Sequence, residues 1–264
     1  MPLRNDLLLR PQGDTLQVLD LILEQEHSLP LTATESDAGV PPQLLEGPMA
    51  DALRLAAWGA KVRPCAPQIE SGETDWSEAV RLPAAVAPGW RDPERWRRLR
   101  QDRLAGAPGL VLRSLLTESA LAVFDETPLE RFETELVQAN KAPVEFPLFS
   151  DPSMRRMLGG LLGLVLPART HVNRWQLLAG DFMKPHRDGR HYLATFSLGL
   201  SRDWTAADSG AIAFGQPHPD GFTTEHRFLP HRGDLVLFQP TIESWHQVEP
   251  PARTRDTVTG WWMA

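Results

Sequence analysis

The strongest constraint on this chain is a change of period near residue 170. Beyond it, HVNRWQLLAG, YLATFSLGL, GAIAFG, HRFLP, DLVLFQP and RDTVTGWWM are short apolar runs separated by Gly, Pro, Asp and Ser. Strand-length runs at that spacing predict an all-β sandwich or barrel in the C-terminal part. Ahead of them the pattern is mostly helical. GLVLRSLL, from residue 109, reads as a strand, and Thr117 starts a short helix. Thr127-Pro-Leu-Glu130 has the form of a capping box, with Leu129, Phe132, Leu136 and Val137 as the apolar stripe of a helix. Asp151-Pro152 opens another helix carrying Met154, Met157, Leu158, Leu161 and Leu162, interrupted by Gly159-Gly160.

The first hundred residues predict helices joined by irregular loops rich in Pro, Gly, Ser and Thr. One begins at Asp14-Thr-Leu-Gln17, with Leu16, Leu19, Ile22 and Leu23 on one face. A second spans residues 49–61. A third lies in RDPERWRRLRQDR (91–103), with Asp92 as N-cap, Pro93 at the first position, and Trp96 and Leu99 facing inward. The expected organisation is therefore α+β: a helical extension over residues 1–105 that wraps the core, and a β-rich domain over 106–264.

Composition narrows the function. A net charge of −7 argues against a nucleic-acid partner, whose phosphates demand a basic surface; the basic run at 91–103 reads as a solvated helix face. The single cysteine, Cys65, excludes an intramolecular disulfide and a Cys-rich zinc site. MPLRNDLLLRPQGD lacks a signal-peptide core, and no apolar stretch approaches membrane-spanning length. These features predict a soluble, cytoplasmic protein with no membrane partner.

The chemistry sits in MKPHRDG. On a strand His186 and Asp188 point the same way, so both can reach one metal ion. His246 follows sixty residues later, after the run DLVLFQP. Two histidines and one carboxylate on one face of a metal leave coordination positions open, the arrangement of non-haem Fe(II) oxygenases. Arg255, nine residues after His246, shares a strand face with Thr257, Thr259 and Trp261. An arginine facing a barrel interior is costly unless it meets an anion, and its fork suits a carboxylate, with Thr259 placed to add a hydroxyl. Taken singly, each of these residues reads as a polar turn, a strand end or a surface charge; their joint order carries the functional reading.

That order, H-x-D, then GAIAF, GDLVLF, H-x-V-x-P and R-x-x-x-T-x-W, resembles the Fe(II)/2-oxoglutarate dioxygenases of the prolyl-hydroxylase-like group across residues 170–264. The resemblance implies a double-stranded β-helix (jelly roll). It implies Fe(II) on His186, Asp188 and His246, and 2-oxoglutarate held through its distal carboxylate by Arg255 and Thr259. O2 would be the oxidant, and oxidative decarboxylation of 2-oxoglutarate to succinate and CO2 would be coupled to hydroxylation of a substrate C–H bond. Asp188 favours hydroxylation, since halogenating relatives carry a small residue there.

The chain also departs from the pattern. Leu177 stands where a tyrosine often touches 2-oxoglutarate, Ser197-Leu198-Gly199 replaces a Tyr-Leu-Asn, and Gly210-Ala211 replaces a Gly-Gly. Gln176 or Asn173 are the substitutes expected at the co-substrate, and Arg190 and Trp261 the expected substrate contacts. The leading expectation is a hydroxylase of an amino-acid side chain in a peptide or protein, because the extension offers recognition surface. The alternatives are a hydroxylase of a free amino acid or other small metabolite, a non-catalytic jelly-roll binding module, and a cupin-like metal isomerase or hydrolase.

Overall fold

A computed structural model describes the backbone of residues 7–12, 15–20 and 25–30, and both backbone and side chains of 74–263 apart from 107, 190, 191, 219, 242 and 243. Three strands come first: β1 (Leu7–Gln12), β2 (Thr15–Asp20) and β3 (Gln25–Pro30). Helix α1 (Pro93–Leu104) and strand β4 (Leu110–Leu112) follow, then a one-turn helix at Glu118–Leu121. Strands β5 (Glu130–Glu133) and β6 (Val137–Pro143) precede helix α2 (Pro152–Leu162). The rest is strand: β7 (Thr170–Leu177), β8 (Phe182–Asp188), β9 (Tyr192–Gly199) and β10 (Ile212–His218). The last four are β11 (Gly221–Phe228), β12 (Leu235–Phe238), β13 (His246–Val248) and β14 (Arg255–Met263).

These strands make two antiparallel layers. One is β7–β14–β9–β12–β4; the other is β11–β10–β13–β8, which β1 extends by pairing with the end of β8. Strand β6 pairs with β7 at one end and β8 at the other, so the layers join into a nearly closed jelly roll. Apart from the β10–β11 hairpin, successive strands from β7 to β14 sit in opposite layers, so the short runs alternate across the core.

The layer containing β7, β14 and β9 is covered on both faces. Its outer face carries Val172, Val258, Trp262, Ala194, Phe196 and Leu198, which share one apolar core with Trp96 of α1 and Met154, Met157 and Leu158 of α2. Gly260 is required on that face, since a Cβ there would lie 2.4 Å from the Phe196 ring. Its inner face carries the alternate residues and closes the cavity described below. Helix α1 forms as the sequence predicts: the Asp92 carboxylate accepts from Glu94 N at 2.9 Å, Pro93 takes the first turn, and Trp96 is fully buried. In α2, Gly159 is explained by the helix end. The chain turns at Gly163 (φ 72°) and Leu164 N donates to Gly159 O at 2.9 Å, so close that a Cβ on Gly159 would meet the Leu164 carbonyl.

Two expected helices are strands instead. The stretch 129–137 is the β5–β6 turn region: the Thr134 hydroxyl accepts from Leu136 N and Val137 N at 3.1 and 3.0 Å, reversing the chain rather than capping a helix. Beyond it Val137, Ala139 and Lys141 are buried with period two. The helix expected from Asp14 is replaced over residues 15–20 by β2, which pairs with β1 on one side and β3 on the other. Local propensity is a weak prior that sheet pairing overrides. The helix expected over 49–61 lies outside the described residues. Among the described residues no helix is long and apolar enough to cross a membrane.

Candidate active site

Strands β8 and β13 are neighbours, and His246 pairs directly with His186. Their rings lie 4.3 Å apart, and Asp188, two residues along β8, shares the same face. One ligand atom from each of His186, Asp188 and His246 falls within 4.8 Å of the others, and all three residues are buried. The donors are oriented before any ion arrives. His186 Nδ1 donates to Lys184 O at 2.8 Å, and His246 Nδ1 to Ser244 O at 2.9 Å. A carbonyl only accepts, so each Nδ1 carries the proton and each Nε2 is the basic nitrogen. The Asp188 carboxylate is fixed from its other side: Oδ2 accepts from Thr195 Oγ1 at 2.6 Å and Trp261 Nε1 at 3.2 Å, while Oδ1 lies 4.0 Å from His246 Nε2. Two imidazoles and one carboxylate, with their outer atoms already bonded, fit a divalent transition metal such as Fe(II).

The trio lines a cavity between the two layers, and strand pairing orders its wall. Arg255 lies opposite Leu177, Thr257 opposite Trp175, Thr259 opposite Asn173, and Trp261 opposite His171. On the other side Thr259 faces Ser197 and Trp261 faces Thr195. Arg255, Thr257, Thr259, Trp261, Trp175, Leu177, Thr195 and Ser197 all line the cavity together with the two histidines and Asp188.

Arg255 is 3% exposed. Its Nε donates to Gly210 O at 2.6 Å and its Nη1 to Thr257 Oγ1 at 3.0 Å, but among the described residues no carboxylate forms an ion pair with it. Burial pulls its pKa down to about 10, partly offset by the nearby charge of Asp256, so the side chain is still a cation at neutral pH. Gly210 makes room for it, with a positive φ of 68° and the Arg255 Cδ 3.2 Å from where a Cβ would stand. A buried cation without a counter-ion costs free energy that an incoming anion recovers.

Of the residues singled out from the sequence, His186, Asp188, His246, Arg255, Thr259 and Trp261 are brought to this one cavity. The Trp261 indole, expected as a substrate contact, lines the cavity and donates to Asp188. Gln176 is not brought there. It lies between the inward-facing Trp175 and Leu177, so it points to the opposite face, where it donates to Asp256 at 3.3 Å and accepts from Asn140 at 3.1 Å. Asn173 is occupied by His171, whose Nε2 lies 3.0 Å from the amide Nδ2, and burial with Lys141 and Arg169 nearby lowers the His171 pKa. Arg190 lies outside the described residues. Sequence reasoning put Thr257 on the Arg255 face without giving it a role, and missed Thr195 and Trp175, whose place on this wall is readable only once the pairing is known.

A family model described as the 2OG-Fe(II) oxygenase superfamily matches residues 170–263. No curated protein matches the chain. Among solved structures, a Pseudomonas putida prolyl-4-hydroxylase is similar at 19% identity and a TM-score of 0.51, over 64% of this chain and 99% of that one. A 2OG-Fe(II) oxygenase family oxidoreductase from Burkholderia pseudomallei has 16% identity and a TM-score of 0.48, over 64% and 89%.

Proposed function

We propose that this chain, whose residues 170–263 belong to the 2OG-Fe(II) oxygenase superfamily, is a 2-oxoglutarate-dependent dioxygenase that hydroxylates an amino-acid side chain in a peptide or protein, releasing succinate and CO2. The observation that carries the reading is one cavity with two complementary features: a pre-aligned His186–Asp188–His246 trio, and a buried Arg255 with no counter-ion among the described residues.

His186, Asp188 and His246 would hold Fe(II), which when bound supplies the oxidising chemistry with O2 and 2-oxoglutarate. The protein's part is orientation and charge. The Nδ1 bonds to Lys184 O and Ser244 O keep both imidazoles aimed, with Nε2 turned to the metal position, and the bonds from Thr195 and Trp261 keep Asp188 from rotating. Arg255, with the hydroxyls of Thr257 and Thr259 on the same wall, is the anchor for a carboxylate. Charge supports a dianion as co-substrate: a divalent ion and Arg255 against Asp188 leave two positive charges, which 2-oxoglutarate neutralises. Met183, Ile212, Phe238 and Val248 make much of the remaining wall apolar, which limits water around the reacting groups.

The choice of a peptide substrate rests on the added surface: β1 to β3 extend the layer from the strand that carries His186 and Asp188. Residues 1–105 are accordingly assigned as an extension of the jelly-roll domain. The test is succinate formation from 2-oxoglutarate by the purified chain with Fe(II), followed by mass spectrometry of a peptide library and of free amino acids. A gain of one oxygen atom on peptides supports the reading. The same gain on free amino acids alone replaces the substrate class, and succinate that no substrate stimulates removes the hydroxylase assignment.

A further inference from the structure

Building on that reading, we infer that Trp175 is a co-substrate-positioning residue whose indole N–H donates to the same carboxylate that Arg255 binds. Five other tryptophans show how this chain treats an indole. Trp90 donates to Arg113 O at 3.0 Å, Trp96 to Trp90 O at 2.7 Å, and Trp204 to Ser209 O at 2.9 Å. Trp261 donates to Asp188 at 3.2 Å and Trp262 to Phe149 O at 3.1 Å. Trp175 is as buried as these, at 2% exposure, yet its Nε1 has no hydrogen-bond partner among the described residues.

An indole nitrogen can only donate, so it needs an acceptor, and leaving it without one is costly. The ring cannot readily turn to find one. Phe132 packs edge-on against it, with centroids 6.0 Å apart and planes at 72°, and Lys141 Nζ lies 5.7 Å from its centroid. Trp175 lines the cavity and stands opposite Thr257, the residue whose hydroxyl accepts from Arg255. Arg255 itself donates to protein from Nε and Nη1, which leaves Nη2 for a ligand. Two unspent donors, one charged and one neutral, therefore line the same cavity from diagonal positions of the β7–β14 pair, and Leu177 beside them contributes no polar atom. A carboxylate offers enough lone pairs for both. Trp175 thus sets the orientation of the acid that Arg255 attracts.

The experiment uses full-length protein loaded with Zn(II), with 2-oxoglutarate and pyruvate as probes; pyruvate shares the 2-oxo acid group but lacks the second carboxylate. The Trp175 indole resonance is assigned in a nitrogen-15 spectrum by its loss in Trp175→Phe, which keeps an aromatic ring and removes the donor. The expected result is a downfield shift of that resonance with 2-oxoglutarate but not with pyruvate, and about tenfold weaker binding of 2-oxoglutarate alone in Trp175→Phe. The inference is overturned if wild-type protein binds 2-oxoglutarate without moving the resonance, or if the variant weakens both acids equally, as lost packing would. The spectral shift is read on the wild-type fold, so it stands even if the variant is unstable. If the wild-type protein binds no 2-oxoglutarate, the co-substrate reading fails first and this inference with it.

Discussion

The two ends of the cavity are built on different principles. At the metal end every orienting contact is already made: both histidine Nδ1 atoms are bonded to carbonyls two residues earlier in the chain, and Asp188 is gripped by Thr195 and Trp261. At the arginine end the donors are incomplete. Arg255 is buried without an ion pair among the described residues, and Trp175 without an acceptor. The first end is complete before the ion binds, whereas the second is completed by its ligand. Within the metal end there is a further contrast. The histidines are held by backbone, which substitution of neighbouring side chains barely touches, while Asp188 is held by two side chains that can be removed singly.

The contrast predicts a graded series of losses. The largest follows from removing a ligand: His186→Ala or Asp188→Ala should abolish iron-dependent succinate formation and saturable Fe(II) or Co(II) binding. Turnover that survives in either variant would mean the metal end is elsewhere. Next comes Arg255→Ala. Loss of a charge-assisted carboxylate contact worth about 3 kcal/mol should raise the 2-oxoglutarate KM by roughly a hundredfold. Metal affinity should stay within a few-fold of wild type, because no metal-end contact involves Arg255. If metal binding collapses as well, the ends are not separable.

A smaller effect should come from the side chains behind Asp188. Thr195→Val and Trp261→Phe each remove one of the two donors to Oδ2, and losses of this kind cost about 10- to 100-fold in metal affinity. Thr195→Val should be the more harmful, since its contact is 2.6 Å against 3.2 Å. Equilibrium titration with Co(II) checks the order; equal and negligible effects would show that Asp188 needs no support.

How much of this could be read beforehand follows the range of each interaction. His186 and Asp188 are two residues apart on one strand, and Arg255, Thr259 and Trp261 share one face of another, so alternation alone collects them. His246 needed only the order of motifs. Thr195 and Trp175 gain their meaning from pairing of β9 and β7 with β14, which a one-dimensional pattern does not hold. Gln176 shows how narrow the margin is: a shift of one residue puts a side chain on the other face. The helix expected over 129–137 failed for a related reason. Leu129, Phe132, Leu136 and Val137 satisfy a helical stripe, yet Phe132 and Val137 are buried just as well on either side of a turn closed by the Thr134 hydroxyl.

The smallest predicted change is the one that best separates a ligand anchor from a structural residue. Burial lowers the Arg255 pKa from its ordinary value to about 10, and each unit corresponds to about 1.4 kcal/mol. A cation whose folded pKa lies below its unfolded one makes the fold less stable at every pH below the folded value. The unfolded chain then binds more protons from about pH 10 up to the ordinary arginine value, so this cost is relieved only as pH rises through that window. At neutral pH the cost is of order 3 kcal/mol, offset in part by the bonds to Gly210 O and Thr257 Oγ1. Arg255→Met keeps the packing volume and removes the charge. Without ligands the variant should therefore melt no lower than wild type, although its 2-oxoglutarate binding is lost. With metal present, a hundredfold excess of 2-oxoglutarate over its Kd should raise the wild-type Tm by several degrees, from about 2.7 kcal/mol of linkage, and leave the variant unmoved. A fall of several degrees in the unliganded variant would mean that the protein's own groups already satisfy Arg255, and the distinction between a complete end and a waiting end would go with it.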